Sequence, residues 1–397
     1  MSTSLLYHNQ SLMGVTCRKM EYEGGTTFWS AAISDTYCKC SKCGSRNVVR
    51  SGGVRRDIKL LPTGTRPNVL RIFIPRLACR KCGAVRQVKL PFADRGKSYT
   101  RALARYVLQL CSILPLNTVA QLCNLSWNTV KWIHKEGLRK KYRRTPLKDV
   151  RFIAIDEVCV GHPRRYLTIV MNLETGDILH VARGKGTAAL RGFWRRLSHS
   201  KARIRAVCTD MASGYMAAVK EHLPEADLVL DHFHLVKYLN DKLSEIRRQQ
   251  YRIACEGGKR LLKGTRWLLL TSRGNLKENC ISALDDALRY NQPLYIAYYL
   301  KEELASLWSL KTRHEASRHL DNWLIKAENS GVKVLENTAK WLIRMKEYIL
   351  NWFKWPLTSA KLEAFNGKIR RLLKNTCGLR DQEYMFLRIR DLVDAKL

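Results

Sequence analysis

Three short apolar runs, at 152–155, 204–207 and 228–230, each lead into an acid: Asp156, Asp210 and Asp231. Runs of this length, rich in β-branched residues and stopped by a polar break, read as buried strands. In an open α/β sheet, functional groups collect at the carboxyl ends of such strands. Lys and Arg number 71 against 34 Asp and Glu, a formal net charge of +37. Acids gathered at strand ends in so basic a chain are out of keeping with its surface. They suit a shared, hard divalent cation, which takes oxygen ligands.

The text between these runs sets their order. Segments 166–172 and 177–183, joined by Leu-Glu-Thr-Gly, read as an antiparallel hairpin following the first strand. A helix is expected at 187–197, a strand at 204–208, a helix at 213–222 and a last strand at 227–230. This is the order of a ribonuclease-H-like fold, in which the first and fourth strands lie side by side. Asp156 and Asp210 would then be neighbours across 54 positions of sequence.

Two carboxylates are few for a metal site, and the best third acid is Glu363, in TSAKLEAFNGKIRRLLKN. Thr358 or Ser359 can cap that helix. Leu362, Phe365, Ile369 and Leu372 form its apolar stripe, while Glu363, Asn366 and Arg370 fall on a second one. The alternative for Glu363 is a surface ion pair. Asp231 and His234, spaced D-x2-H, are read with Asn366 as auxiliary or structural. Glu157 should point to the opposite strand face, and His162 reads as a polar loop residue.

Upstream, Cys40-x2-Cys43-Gly and Cys79-x2-Cys82-Gly are separated by 35 residues. Each pair can place two thiolates on one knuckle, and four thiolates leave zinc no open position, so the expected Zn2+ is structural. Cys38 could compete with Cys40. The segment 48–74 alternates well enough for two or three strands, whereas residues 1–37 carry little signal. Arg46, Arg50, Arg55, Arg56, Arg71 and Arg76 give this region a basic surface suited to DNA phosphates.

Residues 100–113 have a helical period, and 116–122, 124–126 and a helix beginning at the N-cap Ser126 read as a helix-turn-helix. Asn128, Thr129 and Lys131 would face DNA bases or phosphates. Arg139, Lys140, Lys141, Arg143 and Arg144 are phosphate-contact candidates, against the plainer reading of a solvated linker. Trp127 and Trp132 are read as packing residues. From 235 to 355 the text is helical, its tryptophans expected in a core, with Gly257-Gly258 as an interhelical turn.

The totals exclude several classes. Hydrophobic content of 46% rules out a disordered polycation. No apolar run is long enough to span a membrane. Thirteen scattered cysteines argue against a disulfide framework and for the reducing cytoplasm. A polyanion, nucleic acid first, is the expected partner.

Taken together, the twin knuckles, the helix-turn-helix, Ile155-Asp-Glu157 followed by Gly161, His162 and Tyr166, TDMASGY at 209–215, Asp231-x2-His234, and LEAFNGKIR at 362–370 with the trailing GLR carry a resemblance. From Cys40 onward the chain resembles the DDE transposases of bacterial insertion sequences, specifically the ISL-three group. The resemblance implies a multidomain α+β protein. Its parts would be a zinc-ribbon domain at 1–95, a helix-turn-helix at 96–147, a ribonuclease-H-like core at 148–236 and 356–397, and a helical insertion at 237–355. It makes Asp156, Asp210 and Glu363 the catalytic triad, holding Mg2+, which Mn2+ can replace. It implies binding of double-stranded DNA (terminal inverted repeats and target) by a homodimer or higher oligomer in the bacterial cytoplasm, on the nucleoid. GKGTAAL at 184–190 departs from the family's Gly-Arg pair, and GHPRR at 161–165 falls where the family varies. The rival readings are a non-catalytic DNA-binding regulator and a nuclease that cuts without joining.

Overall fold

The computed structural model describes residues 5–143, 145–161, 165–210, 212–376 and 379–393. Arg144 and His162 lie outside the described residues. The chain forms two compact units, dividing at 143/144.

The first unit opens with α1 (Leu5–Gln10) and a five-stranded sheet: β1 (Val15–Glu23), β2 (Thr26–Ile33), β3 (Val48–Lys59), β4 (Asn68–Cys79) and β5 (Val85–Gln87). The spatial order is β1-β2-β4-β3, with β5 also on β4. Strands were expected in 48–74; the β1–β2 hairpin was not. Its signal is the Gly24-Gly25 pair, both residues at positive φ, between two runs of β-formers. β2 docks parallel to β4, and the Trp29 indole N–H donates to buried Asn68 Oδ1 at 3.1 Å.

Hairpin β3–β4 brings the two cysteine knuckles together, pairing Val48 with Cys79. Gly44 and Gly83 take φ of 76° and 67°, and their N–H groups donate to the Cys40 and Cys79 carbonyls at 2.9 Å. These turns fold the thiols of Cys40, Cys43, Cys79 and Cys82 inward until all four sulfurs lie within 4.8 Å of one another. Cys40–Cys82 and Cys43–Cys79 sulfur separations are 3.7 and 3.6 Å. A tetrahedral ion with ~2.3 Å Zn–S bonds places its sulfurs about 3.8 Å apart, so the thiols fit zinc. Backbone N–H groups of Cys43 and Lys42 hold the Cys40 thiol down to about 6, which favours the ligating thiolate. Cys38 lies outside the cluster and packs against the sheet core.

Next come α2 (Arg101–Cys111), α3 (Leu116–Leu122) and α4 (Trp127–Lys141). Asn124, at φ 48°, makes the turn, and Ser126 caps α4 by accepting the Thr129 N–H. Leu103, Val107, Val119, Ala120, Val130 and Ile133 form their core. A Cβ on Gly137 would lie 2.4 Å from a Leu108 methyl, so glycine lets α2 and α4 approach.

The second unit centres on a sheet of order β10-β9-β6-β7-β8. Its strands are β6 (Phe152–Gly161), β7 (Arg165–Asn172), β8 (Ile178–Arg183), β9 (Ala206–Thr209) and β10 (Asp227–Leu230). β6, β7 and β8 are antiparallel, while β9 and β10 run parallel to β6. That is the ribonuclease-H-like order expected from the sequence. α5 (Thr187–Ser198) and α6 (Ser213–His222) cover one face, burying Phe193, Trp194 and Tyr215 against Ile153, Ile155 and Val207.

A helical body then intervenes: α7 (His232–Ile253), α8 (Glu256–Leu262), α9 (Arg266–Leu270), α10 (Glu278–Tyr290), α11 (Gln292–Ala305), α12 (Arg313–Glu328) and α13 (Lys333–Leu350). Trp323 is fully buried in its core and donates its indole N–H to Leu300 O at 2.7 Å. Gly257 and Gly258 lie within α8 rather than in a turn, and the bare Cα of Gly258 makes room for the Tyr290 hydroxyl, which a Cβ there would strike. The chain returns to the sheet through Asn351, whose amide donates to Leu228 O at 3.0 Å, and Trp355, which donates to Asp227 at 2.7 Å. α14 (Ala360–Asn375) and α15 (Gln382–Asp391) cover the second sheet face.

Replacing Cys79 with Ser should release the zinc and unfold the knuckles, because a structural zinc contributes on the order of 10 kcal/mol of folding free energy. Metal analysis together with thermal unfolding of the variant checks this. Retention of the zinc with an unchanged melting temperature would sink the assignment.

Candidate active site

The three acids reach one edge of the sheet by register. Ile155 pairs with Thr209 and Leu230 pairs with Thr209 in parallel ladders, so Asp156, Asp210 and Asp231 each follow a residue of one row. Parallel neighbours sit about 4.8 Å apart. Ala154, Val158 and Cys208 face α14, so alternation aims Asp156 and Asp210 the same way. Glu157 points to the other face, beside Tyr215. Burial and Glu157 push that phenol up, and its hydroxyl also meets Thr168 Oγ1 at 2.9 Å.

α14 supplies the third acid. Leu362, Phe365, Ile369 and Leu372 bury its apolar stripe on the sheet, as the sequence pattern requires. The adjoining stripe then carries Glu363 and buried Asn366, and the Asn366 amide donates to Asp156 Oδ2 at 2.7 Å. Asp156 Oδ1 accepts the Glu157 N–H at 2.7 Å, and Asp210 Oδ1 accepts the Ala212 N–H at 3.1 Å. His234 Nε2, from the first turn of α7, lies 3.4 Å from Glu363 Oε1. Asp156, Asp210, Glu363, Asn366 and His234 are thus brought together.

Asp231 does something else. It is fully buried, caps α7 by accepting the Phe233 N–H at 3.0 Å, and accepts the Ser359 N–H at 2.8 Å and the Ser359 hydroxyl. Ser359 therefore does not cap α14 with its side chain; Thr358 Oγ1 accepts the Ala360 N–H instead. Asp231 is a structural clasp between the helix that leaves the sheet and the helix that returns.

Burial pushes the Asp156 carboxyl up to about 6; the Glu157 N–H opposes it, Asp210 and Glu363 repel, and His234 attracts. His234 Nε2 and Asn366 Oδ1 are buried without a hydrogen-bond partner among the described residues. A carboxyl lifted by burial and by two neighbouring acids, with orphaned polar atoms beside it, suits a divalent cation.

On α4, Asn128 is exposed and Lys131 half-buried, over the Trp127 ring at 5.5 Å. Thr129's hydroxyl contacts that of Ser126 at 2.8 Å, so it belongs to the cap. Arg139 pairs with Glu136; Lys140, Lys141 and Arg143 are exposed. Trp127 and Trp132 are 46% and 41% exposed, not packed within the core, and Lys97 lies over Trp132 at 4.4 Å. Their indoles stand at the surface with cations beside them.

Two measurements follow. Asp156 has a folded pKa of about 6 against ~3.9 unfolded, so ionising it costs the metal-free fold stability as pH rises from about 4 through about 6. The size is on the order of 3 kcal/mol, and Asp156→Asn should lack that loss. Melting curves across this window, with and without a divalent cation, test it; parallel curves for both proteins would refute it. Asp231→Ala should cost about 3–5 kcal/mol, since it strands buried donors, and chemical denaturation of the variant reads that loss.

Comparison with known proteins agrees with this architecture. Residues 153–389 match the family model described as Transposase for the DDE enzymes of the ISL3 family. Residues 88–133 match the helix-turn-helix domain of transposase family ISL3, and 36–82 the zinc-finger of transposase IS204/IS1001/IS1096/IS1165. The chain is 33% identical over 359 residues to the transposase for insertion sequence element IS1001 of Bordetella parapertussis, covering 88% of this chain and 87% of that one. It is 27% identical over 371 residues to the transposase for IS1557 of Mycobacterium tuberculosis, covering 87% and 83%. The Drosophila P element transposase strand transfer complex aligns with 74% of this chain and 91% of its own at a TM-score of 0.38 and 12% identity, too loosely to bear on residues. The zinc ribbon, the DNA-binding helix-turn-helix and the catalytic core are those of one family: the chain belongs to the ISL3 transposases, enzymes of the DDE type.

Proposed function

We propose that Asp156, Asp210 and Glu363 are the catalytic carboxylates. In this reading they hold Mg2+, for which Mn2+ can substitute, and cleave DNA at the terminal inverted repeats of an insertion sequence before joining the ends to target DNA. The observation that carries this reading is the convergence of two strand-end aspartates with a helix-borne glutamate around Asn366 and His234. The bound cations would activate the attacking oxygen and stabilise the leaving 3′-oxygen of an in-line displacement. Asp156 is oriented through both oxygens, by the Glu157 N–H and the Asn366 amide, so its lone pairs are aimed before DNA arrives. Glu363 is set by its helix, with His234 Nε2 3.4 Å from its Oε1.

The division of labour follows the sequence. Residues 1–95, the zinc ribbon, and 96–147, the helix-turn-helix, recognise the repeats. Asn128 and Lys131 approach bases or phosphates, and Lys140, Lys141 and Arg143 the backbone. Residues 148–236 and 356–397 perform the chemistry, with 237–355 inserted between them. Because two ends must be captured together, the active species is a dimer or higher oligomer, working on DNA in the bacterial cytoplasm.

The test is a labelled duplex carrying the element's own end, incubated with Mg2+ and either wild type or Asp210→Ala. Wild type should cut and join the end. The variant should bind equally and lose at least about a thousandfold in rate, as when a group central to transition-state charge is removed. Equal cutting by both would overturn the triad. Binding without cutting by wild type in Mg2+ and in Mn2+ would instead support a regulator.

A further inference from the structure

A cavity of about 1490 Å³ opens further along α14 from Glu363 and Asn366, and further along β6 from Asp156. It lies between the far ends of the β6–β7 hairpin and β8 on one side and the second half of α14 on the other. Its rim carries Arg165, Arg183, Lys185, Arg370 and Lys374, and no acid lines it. Among the described residues no carboxylate pairs with any of the five. Arg370 follows Asn366 by four residues, about 6 Å along the helix axis, and Lys374 stands one turn further. The cationic rim is therefore continuous with the catalytic stripe.

The floor is of another kind. Val160, Leu167, Leu373, Leu379 and Met385 line it with apolar surface, and the Tyr166 ring lies at its side with Lys185 Nζ 5.2 Å from the ring centre. A duplex turns its phosphates outward and keeps its bases stacked, so it would satisfy the rim and leave the floor uncovered. An unpaired strand offers both surfaces at once: phosphates for the cations, and base faces for aliphatic and aromatic groups. We propose that this groove binds unpaired nucleotides of the DNA end next to the scissile phosphate. Their phosphates lie on the Arg and Lys rim and their bases on the floor beside Tyr166. The inference deepens the phosphoryl-transfer reading of the adjacent site and rests on it.

The experiment places 2-aminopurine, whose fluorescence rises on unstacking, at each terminal nucleotide of the element's end duplex in turn. Full-length protein is added in the wild-type form, as Asp210→Ala, as Tyr166→Ala, and as Arg183→Ala/Lys374→Ala. Binding is followed in parallel by footprinting. Wild type and Asp210→Ala should give a several-fold rise at one or two positions. Tyr166→Ala, which removes a half-buried ring outside the buried core, and the double variant, whose side chains are exposed, should bind the end and lose most of that rise. A pre-melted end should tighten the binding of wild type more than that of Tyr166→Ala. Bound wild-type protein with no rise at any position would overturn the proposal, and so would a rise unchanged in both groove variants. A rise with no cutting by wild type would count against the phosphoryl-transfer reading alone; cutting with no rise would count against the groove alone.

Discussion

Everything distinctive about the catalytic unit depends on one buried carboxylate. The chain leaves the sheet at Leu230, yet the start of α7 and the start of α14, where Ser359 stands 128 residues after Asp231, are both tied to that one carboxylate. Its Oδ1 takes the first orphan N–H of α7, and its Oδ2 takes the backbone and side chain of Ser359 at the start of α14. A carboxylate so placed is tolerable only because its lone pairs are met by donors. Glu363 N–H donates to Ser359 O at 2.9 Å, so the glutamate sits one helical turn from the clasp. His234 sits three residues from it on the other helix. The 3.4 Å approach of His234 to Glu363 is therefore set by Asp231, although Asp231 does not itself converge with them.

Around that clasp the site is held in tension. Asp210 and Glu363 both repel Asp156 in a half-buried place, and burial alone already lifts Asp156 towards neutrality. The protein answers with dipoles: two N–H donors to Asp156 and one to Asp210. It leaves His234 Nε2 and Asn366 Oδ1 unmatched, which is costly in a native interior. Groups placed this way make an arrangement whose lowest energy is reached only with positive charge present. Of the net charge of +37, three cations of α14 are turned elsewhere: Lys361 donates to Leu173 O at 2.9 Å, and Arg370 and Lys374 line the neighbouring groove.

Much of this was legible in the sequence because local and global signals agreed. The three strand-end acids, the hairpin, the α14 stripe of Leu362, Phe365, Ile369 and Leu372, and the Ser126 cap all follow from periodicity and turn chemistry. What was not legible depended on partners distant in sequence. Ser359 looked like a cap for α14, but a buried acid 128 positions away claims its hydroxyl. Gly257 and Gly258 looked like a turn, but the Tyr290 hydroxyl needs the missing Cβ inside a helix. The hairpin before the first knuckle is marked in the sequence only by Gly24-Gly25. β1 is mostly exposed, so it lacks the alternation that announces a strand. Trp127 and Trp132 were assigned to packing by residue type; only the direction of α4 shows that their rings face outward.

The helical period explains why catalytic and groove residues share α14. Burying residues 362, 365, 369 and 372 against the sheet consumes one face and fixes the rotation of the helix. Positions 363, 366 and 370 are then forced onto a single adjoining stripe, and 374 extends it by one more turn. Acid and amide fall at the end of that stripe near the strand-end aspartates, while the cations fall beyond the ends of the β6–β7 hairpin. The same apolar contacts that hold the helix down thus set the spacing between Glu363 and the cations of the groove. A slip of one residue in that packing would move Glu363 away from His234 and Arg370 out of the groove together.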